Sequence, residues 1–332
     1  MRHEVCSSRY GWPRIAGVLI LSLGAQAAPA QAPSPFATSD RNPLVAVHGL
    51  PDTGNLFPSA GGGLTLGIDF EAANTLHDEK HDDERLFVDA ESRRLTLRFG
   101  YALQDWLIEV SVPYVEHDGG SLDSFIDEFH DFFGFPDGGR DGQPGDRLSF
   151  EYTNEGVTVL QFDDARGGLG DIAVTLGRPV GTATNHGSVA WAQLKTTTGS
   201  VSRLTGSGAP DVALWLAGWR RFAARWAGYA AGGALIMGEG EVLAAQQRDW
   251  TWFSRAGGEY LPVQWLALQV ELAVHGPLYD SDTDLLGESA QLTMGGWLRA
   301  FGDSRVHIAV SEDIHVGSAP DVVFHLGWRA VY

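Results

Sequence analysis

Side chains able to do chemistry cluster at a few places in this chain. His117 stands next to Asp118 and four residues before Ser121, and His275 precedes Ser281 by six. A serine hydroxyl held about 2.6 to 3.2 Å from a histidine base could attack a lipid ester. Neither grouping lies in a lipase motif, so hydrolysis of phospholipid or lipid A is the least expected activity and no catalytic residue is assigned. Metal ligation has two candidates. His77 and His81 are four apart among Asp78, Glu79, Asp82, Asp83 and Glu84, and Asp280, Asp282 and Asp284 repeat an oxygen ligand at every second residue. Calcium favours such oxygens, but Leu285 stands where an EF-hand loop needs its turn glycine, and Gln291 where it needs the closing glutamate. These stretches read as solvated acidic loops that could share divalent cations with lipopolysaccharide phosphates. Neither a resident metal nor a cofactor is expected.

The elements that must position these groups are read from the two ends. In the last nine residues Phe324, Leu326, Trp328, Ala330 and Tyr332 share one face while His325, Gly327 and Arg329 share the other, because side chains along a strand alternate with a period of two. A strand ending on an aromatic resembles the C-terminal signal by which the barrel-assembly machinery of Gram-negative outer membranes recognises its substrates. At the other end Arg2, Arg9 and Arg14 precede the apolar run Ile15 to Leu23 and the small-residue sites Ala25-Gln26-Ala27 through Ala30-Gln31-Ala32, the layout of a secretory signal peptide. Residues 1–32 are therefore expected to be a leader, cleaved between 27 and 32. Cys6, the single cysteine, falls within it, so the mature chain is expected to lack disulfide and thiol chemistry.

Composition points to a barrel rather than a helix bundle. After the leader no apolar run approaches the roughly 18 residues of a membrane helix, and the chain is 44% hydrophobic, as expected where only alternate strand positions face lipid. Its 42 glycines, 11 tryptophans and 16 phenylalanines suit crowded lumen positions and aromatic girdles. The formal charge of −19 becomes about −21 when the three arginines and one glutamate of the leader are removed. Such acidity excludes nucleic acid as a partner, since phosphate binding needs a basic surface.

Alternating runs recur from Leu64 to Tyr332, joined by short turns at Ala102–Asp105, Phe222–Arg225, Leu261–Gln264 and Phe301–Ser304 and by longer loops between. The fold class is thus all-β: a closed antiparallel transmembrane barrel of about 12 strands, preceded by a periplasmic segment over 33–63, with the barrel over 64–332. The pair Leu148–Tyr152 and Val157–Phe162 is shorter than the roughly 9 to 11 residues needed to cross and reads as a hairpin projecting from an extracellular loop. If it crosses, the count is 14. Because bacterial barrels have short periplasmic turns and long outer loops, both termini are expected on the periplasmic side.

The alternation also assigns the lumen. It places Arg94, Arg98, Glu109, Gln269, Glu271, His275, Arg299, His307, His325 and Arg329 inward, since a Lys or Arg on the lipid face near the midplane costs about 2 to 4 kcal/mol. A polar lumen of mixed charge follows, serving either as a structural ladder or as a lining that selects a permeant. Between Glu116 and Arg147, Leu122, Phe125, Ile126, Phe129 and Phe133 fall at helical spacing after Ser121 and before Gly134. They predict one amphipathic helix in an extracellular loop, either a plug or gate at the mouth or a cap over it.

Several segments together resemble a known family. They are Arg41-Asn42-Pro43-Leu44 with Gly49-Leu50-Pro51, Val88-Asp89-Ala90-Glu91, Gly119 to His130, Phe133 to Arg140, Gly167 to Asp171, Leu194-Lys195-Thr196-Thr197-Thr198-Gly199, Gly206-Ser207-Gly208 with Asp211, and Ala319-Pro320-Asp321. The resemblance is to the bacterial domain of unknown function 3187, and it implies an outer-membrane barrel without supplying an activity or a site residue. Gly168-Leu169-Gly170-Asp171 and the Lys-Thr-Thr-Thr-Gly stretch also resemble outer-membrane barrels of aromatic-compound degradation pathways, although Thr197 stands where those more often have proline. The expected function is a passive channel or facilitator for a small solute, an apolar one included. The alternative is a non-conducting barrel whose loops bind lipopolysaccharide or a partner. Outer-membrane lipids, lipopolysaccharide and the assembly machinery are the expected partners.

Overall fold

The computed structural model describes residues 32–52, 63–103, 105–120, 147–315 and 317–332. The leader and the helix expected over 121–133, with Leu122, Phe125, Ile126, Phe129 and Phe133, lie outside the described residues. The strands are β1 (Gly63–His81), β2 (Glu84–Leu103), β3 (Trp106–Asp118), β4 (Ser149–Asn154), β5 (Val157–Phe162), β6 (Arg166–Leu169), β7 (Ala173–Ala183), β8 (His186–Lys195), β9 (Asp211–Ala223), β10 (Trp226–Met237), β11 (Trp250–Val263), β12 (Leu266–His275), β13 (Ser289–Arg299), β14 (Arg305–Asp313) and β15 (Val322–Val331). Twelve of them, β1–β3 and β7–β15, form one antiparallel ring. Pairing of β1 with β15, from Thr65 opposite Val331 to Asn74 opposite Val322, closes it. The 14-strand alternative fails because β4 pairs with β2 outside the ring and β5 pairs only with β4.

The alternation read from sequence sets the two surfaces of the wall. On β12, Leu268 and Val270 are each 51% exposed while Gln269 and Glu271, alternating with them, are buried. The same phase recurs around the ring, leaving Ile68, Leu97, Leu176, Leu214, Leu216, Met294, Ile308 and Leu326 on the outside. An apolar belt running round a whole molecule far exceeds the few hundred Å² that a soluble monomer exposes. No helix among the described residues is long and apolar enough to cross a membrane.

β1 and β2 are 19 and 20 residues long, about twice what a bilayer crossing needs. Beyond Asn74 β1 has no partner in β15, so its upper part pairs with β2 alone, and β2 carries β4 and then β5 on its free edge. The resulting four-stranded flap packs Leu86, Val88, Phe150 and Tyr152 into one buried apolar cluster with Leu278, Tyr279, Leu285 and Leu286 of the β12–β13 loop. Glu84 ties the two together, accepting hydrogen bonds from the Tyr152 hydroxyl at 2.8 Å, the Ser281 hydroxyl at 2.6 Å and the Asp282 amide at 2.9 Å. The pair read as a projecting hairpin is thus half of a roof over the loop end of the barrel.

Residues 32–52, within the segment read from sequence as a separate stretch over 33–63, thread the interior of the barrel. Ser34 meets Glu259 and Gln269 toward the short-turn end, Thr38 receives a hydrogen bond from Arg255, and Asp40 pairs with His275 at the top of β12. The chain then crosses beneath the roof, where the Asn42 amide donates to the Leu285 carbonyl, and descends along β2 until Asp52 reaches Arg98. The chain's own N-terminal segment thus occupies part of the lumen.

Candidate functional site

The lumen has two unlike walls, and the polar mixed-charge lining read from sequence describes only one of them. Inward positions of β8 to β11 present Val189, Trp191, Ala213, Trp215, Ala217, Ala231, Leu235 and Phe253, all buried. Trp191 and Trp215 stack with ring centroids 5.9 Å apart, and Phe253 meets Trp215 edge-on at 6.2 Å. Gly177, opposite Trp191 on β7, permits this: a Cβ there would fall 2.3 Å from the indole ring. Leu44, Val45 and Val47 of the N-terminal segment join the same cluster.

The opposite wall is ionic. Arg98 donates to Asp69 at 2.6 Å, Asp52 at 2.8 Å and Glu109 at 3.3 Å. Arg41 bridges Glu71 at 2.7 Å and Asp52 at 2.8 Å, and His325 lies 3.0 Å from Glu71. Further round, Arg255 pairs with Glu271 at 2.9 Å, Gln269 donates to the Ser34 carbonyl at 2.9 Å, and His275 Nε2 lies 2.9 Å from Asp40. His307 lies 3.5 Å from the Ser34 hydroxyl, and Arg329 is buried 3.9 Å from Asp69. Arg94 is inward but forms no ion pair among the described residues. Arg299 departs from the set: it is exposed at the short-turn rim. Buried charges need partners, and half of these partners come from the N-terminal segment. Nothing in the spacing of the sequence joined Asp40, Arg41 and Asp52 to the wall.

A third feature gathers the segments that carried the family resemblance. Lys195 Nζ donates to Asp171 at 2.7 Å, to the Ser207 hydroxyl at 2.7 Å and to the Val47 carbonyl at 3.1 Å, and lies 3.3 Å from Asp211. Asp171 also accepts from the Gly199 amide, and Asp211 from those of Gly49 and Gly238. The Gly-Leu-Gly-Asp, Lys-Thr-Thr-Thr-Gly and Gly-Ser-Gly stretches thus meet at one buried lysine that clasps the N-terminal segment. Beside it, burial pushes the Tyr279 phenol up. Kept protonated, its hydroxyl donates to the Leu44 carbonyl at 2.7 Å and accepts from His48 Nε2 at 2.8 Å.

Among the described residues the catalytic groupings read from sequence do not come together. His117 is buried between the Ser92 hydroxyl at 2.7 Å and the Leu204 carbonyl at 3.1 Å, while Asp118 takes Arg93. His275 uses its two nitrogens on Asp40 and the Gly276 carbonyl, and the Ser281 hydroxyl goes to Glu84. Ser121 lies outside the described residues. His77 and His81 both hold Glu79, Asp280 faces Arg248, and the amides of Asp282 and Asp284 donate to Glu84 and Glu79. No group of three or more metal-ligating side chains forms among the described residues.

The family model described as "Protein of unknown function (DUF3187)" matches residues 13–332. The chain belongs to this family. No curated protein matches it. Among solved structures, the COG4313 outer membrane channel from Pseudomonas putida F1 is 13% identical, with a TM-score of 0.54, covering 87% of this chain and 98% of that one. The NanC porin superposes at a TM-score of 0.45 with 6% identity over 80% of this chain and 98% of its own. The Ralstonia pickettii toluene transporter TbuX superposes at 0.42 with 11% identity over 91% and 97%. Only the first likeness bears on the fold, and it shows that this family member shares the barrel architecture of an outer-membrane channel.

Proposed function

We propose that the protein is a passive channel of the outer membrane for small solutes, apolar ones included, narrowed by its own N-terminal segment. The observation that carries this reading is the unequal attachment of that segment within the lumen. Toward the ionic wall it is held by hydrogen bonds and ion pairs. The side chains of Leu44, Val45 and Val47 share one buried apolar cluster with Trp191, Trp215 and Phe253, and on that side only the backbone of the segment is bonded, at Leu44, Val47 and Gly49. Ion pairs fix the ionic side, whereas the apolar side chains opposite can part for a small solute without leaving a charge unpaired. The belt on the outer surface supports placement in a bilayer.

The occupied lumen and the roof above it favour a second reading, a closed barrel whose loops bind lipopolysaccharide or a partner. Single-channel recording in planar bilayers separates them. The channel reading expects small conductance steps from the mature chain and a marked rise when residues 33–52 are deleted. A barrel that folds, inserts and stays silent in both forms would favour the binding reading.

A further inference from the structure

Between the descending part of the N-terminal segment and strands β2, β3, β7 and β8 lies a cavity of about 40 Å³. A water needs roughly 10 to 15 Å³ measured in this way, so the space is larger than one solvent molecule requires. Its charged lining consists of Arg94, Arg98, Lys195, Asp52 and Asp171. Both carboxylates are committed, Asp52 to Arg41 and Arg98, and Asp171 to Lys195 and the Gly199 amide. Arg98 and Lys195 are committed in return. Arg94 is the lining cation without a direct ion pair among the described residues.

Arg94 projects from β2 opposite Glu71, but that carboxylate is already held by Arg41 and His325. The Arg94 Nε is buried without a hydrogen-bond partner, while the residue as a whole keeps some accessible surface. That surface opens on the cavity it lines. A partly buried guanidinium whose neighbouring carboxylates, Asp52 and Glu71, are directly bonded to other cations has donors to spare, and a bound anion can take them through two parallel N–H bonds. Pro113, Ala173 and Leu50 supply the apolar part of its wall.

We propose that this cavity is a binding site for one compact monovalent anion, a halide or a small carboxylate, held by Arg94 between the N-terminal segment and the wall. The site stands whether or not the barrel conducts. It gives the segment a soluble tether besides Lys195, so anion binding and the seating of residues 46–52 are coupled.

Crystals of the mature chain soaked in bromide test it by anomalous diffraction, with formate as competitor. One bromide is expected against the Arg94 guanidinium, lost in Arg94→Gln. Arg94→Lys should keep it with affinity lowered about tenfold, since a point charge replaces a fork of donors. Displacement by formate extends the ligand class to small carboxylates, and a bromide that formate does not displace restricts it to halides. An empty cavity in the parent, or a bromide that persists in Arg94→Gln, overturns the proposal. If Arg94→Gln does not fold, the parent and Arg94→Lys decide alone: equal binding in those two would overturn it. Conductance without bromide binding refutes the site and leaves the channel reading intact, and binding in a silent barrel does the reverse.

Discussion

The ammonium of Lys195, on the wall, donates to the backbone carbonyl of Val47, in the segment inside the lumen, at 3.1 Å. The same nitrogen holds Asp171 and lies 3.3 Å from Asp211, so one buried cation is shared by two carboxylates while gripping the N-terminal segment. Replacing it with Met leaves both carboxylates without their cation. Such a loss costs about 3 to 5 kcal/mol. Lys195→Met should lower the urea midpoint of the refolded barrel and speed proteolysis within residues 33–52. An unchanged midpoint together with unchanged cleavage would show that the clasp is dispensable.

Asp40 and His275 touch at 2.9 Å across the boundary between segment and wall. Because Cys6 is the single cysteine of the sequence, the double variant Asp40→Cys, His275→Cys in a chain starting at residue 33 presents two thiols for a short bis-methanethiosulfonate cross-linker, the side-chain contact being too long for a direct disulfide. Cross-linking should lock the segment and suppress any conductance fluctuation, and dithiothreitol should restore it. Identical current traces before and after reduction would detach gating from movement of this segment.

Gly177 leaves room for the Trp191 indole to lie across β7. A Cβ there would stand 2.3 Å from the ring, so Gly177→Leu forces the ring out of its stack with Trp215. Overpacking of this kind costs about 1 to 3 kcal/mol. Tryptophan fluorescence should shift to longer wavelength and the thermal midpoint should fall. A variant with the parent's emission and midpoint would refute the tight packing of this wall.

Val270, on the outer face of β12, is 51% exposed between the inward Gln269 and Glu271. If the belt faces lipid, Val270→Arg should lower folding stability in vesicles by about 2 to 4 kcal/mol, while the same variant in a detergent rich in water contact loses much less. Equal stability in both media would argue that this face does not meet a hydrocarbon core.

The alternation of Leu266 to His275 and the short turns by themselves pointed to a barrel of about twelve strands, with fourteen left open until β4 and β5 were seen off the ring, and to one inward face per strand, from which Arg299 departs. Strand periodicity is local: each residue's face follows from its neighbours two positions away. What lies inside the barrel was decided only in three dimensions. Asp40, Arg41, His48 and Asp52 lie in a stretch without period, and their partners His275, Glu71, Tyr279 and Arg98 are up to 235 residues distant. The motifs around Asp171, Lys195 and Asp211 were visible as words but not as one site, because a salt bridge has no sequence spacing of its own. The division of the lumen into an aromatic and an ionic wall escaped for a related reason. Period two tells in from out, whereas only closure of the ring brings Trp191, Trp215 and Phe253 together on one side and Arg98, Glu71 and Glu271 on the other.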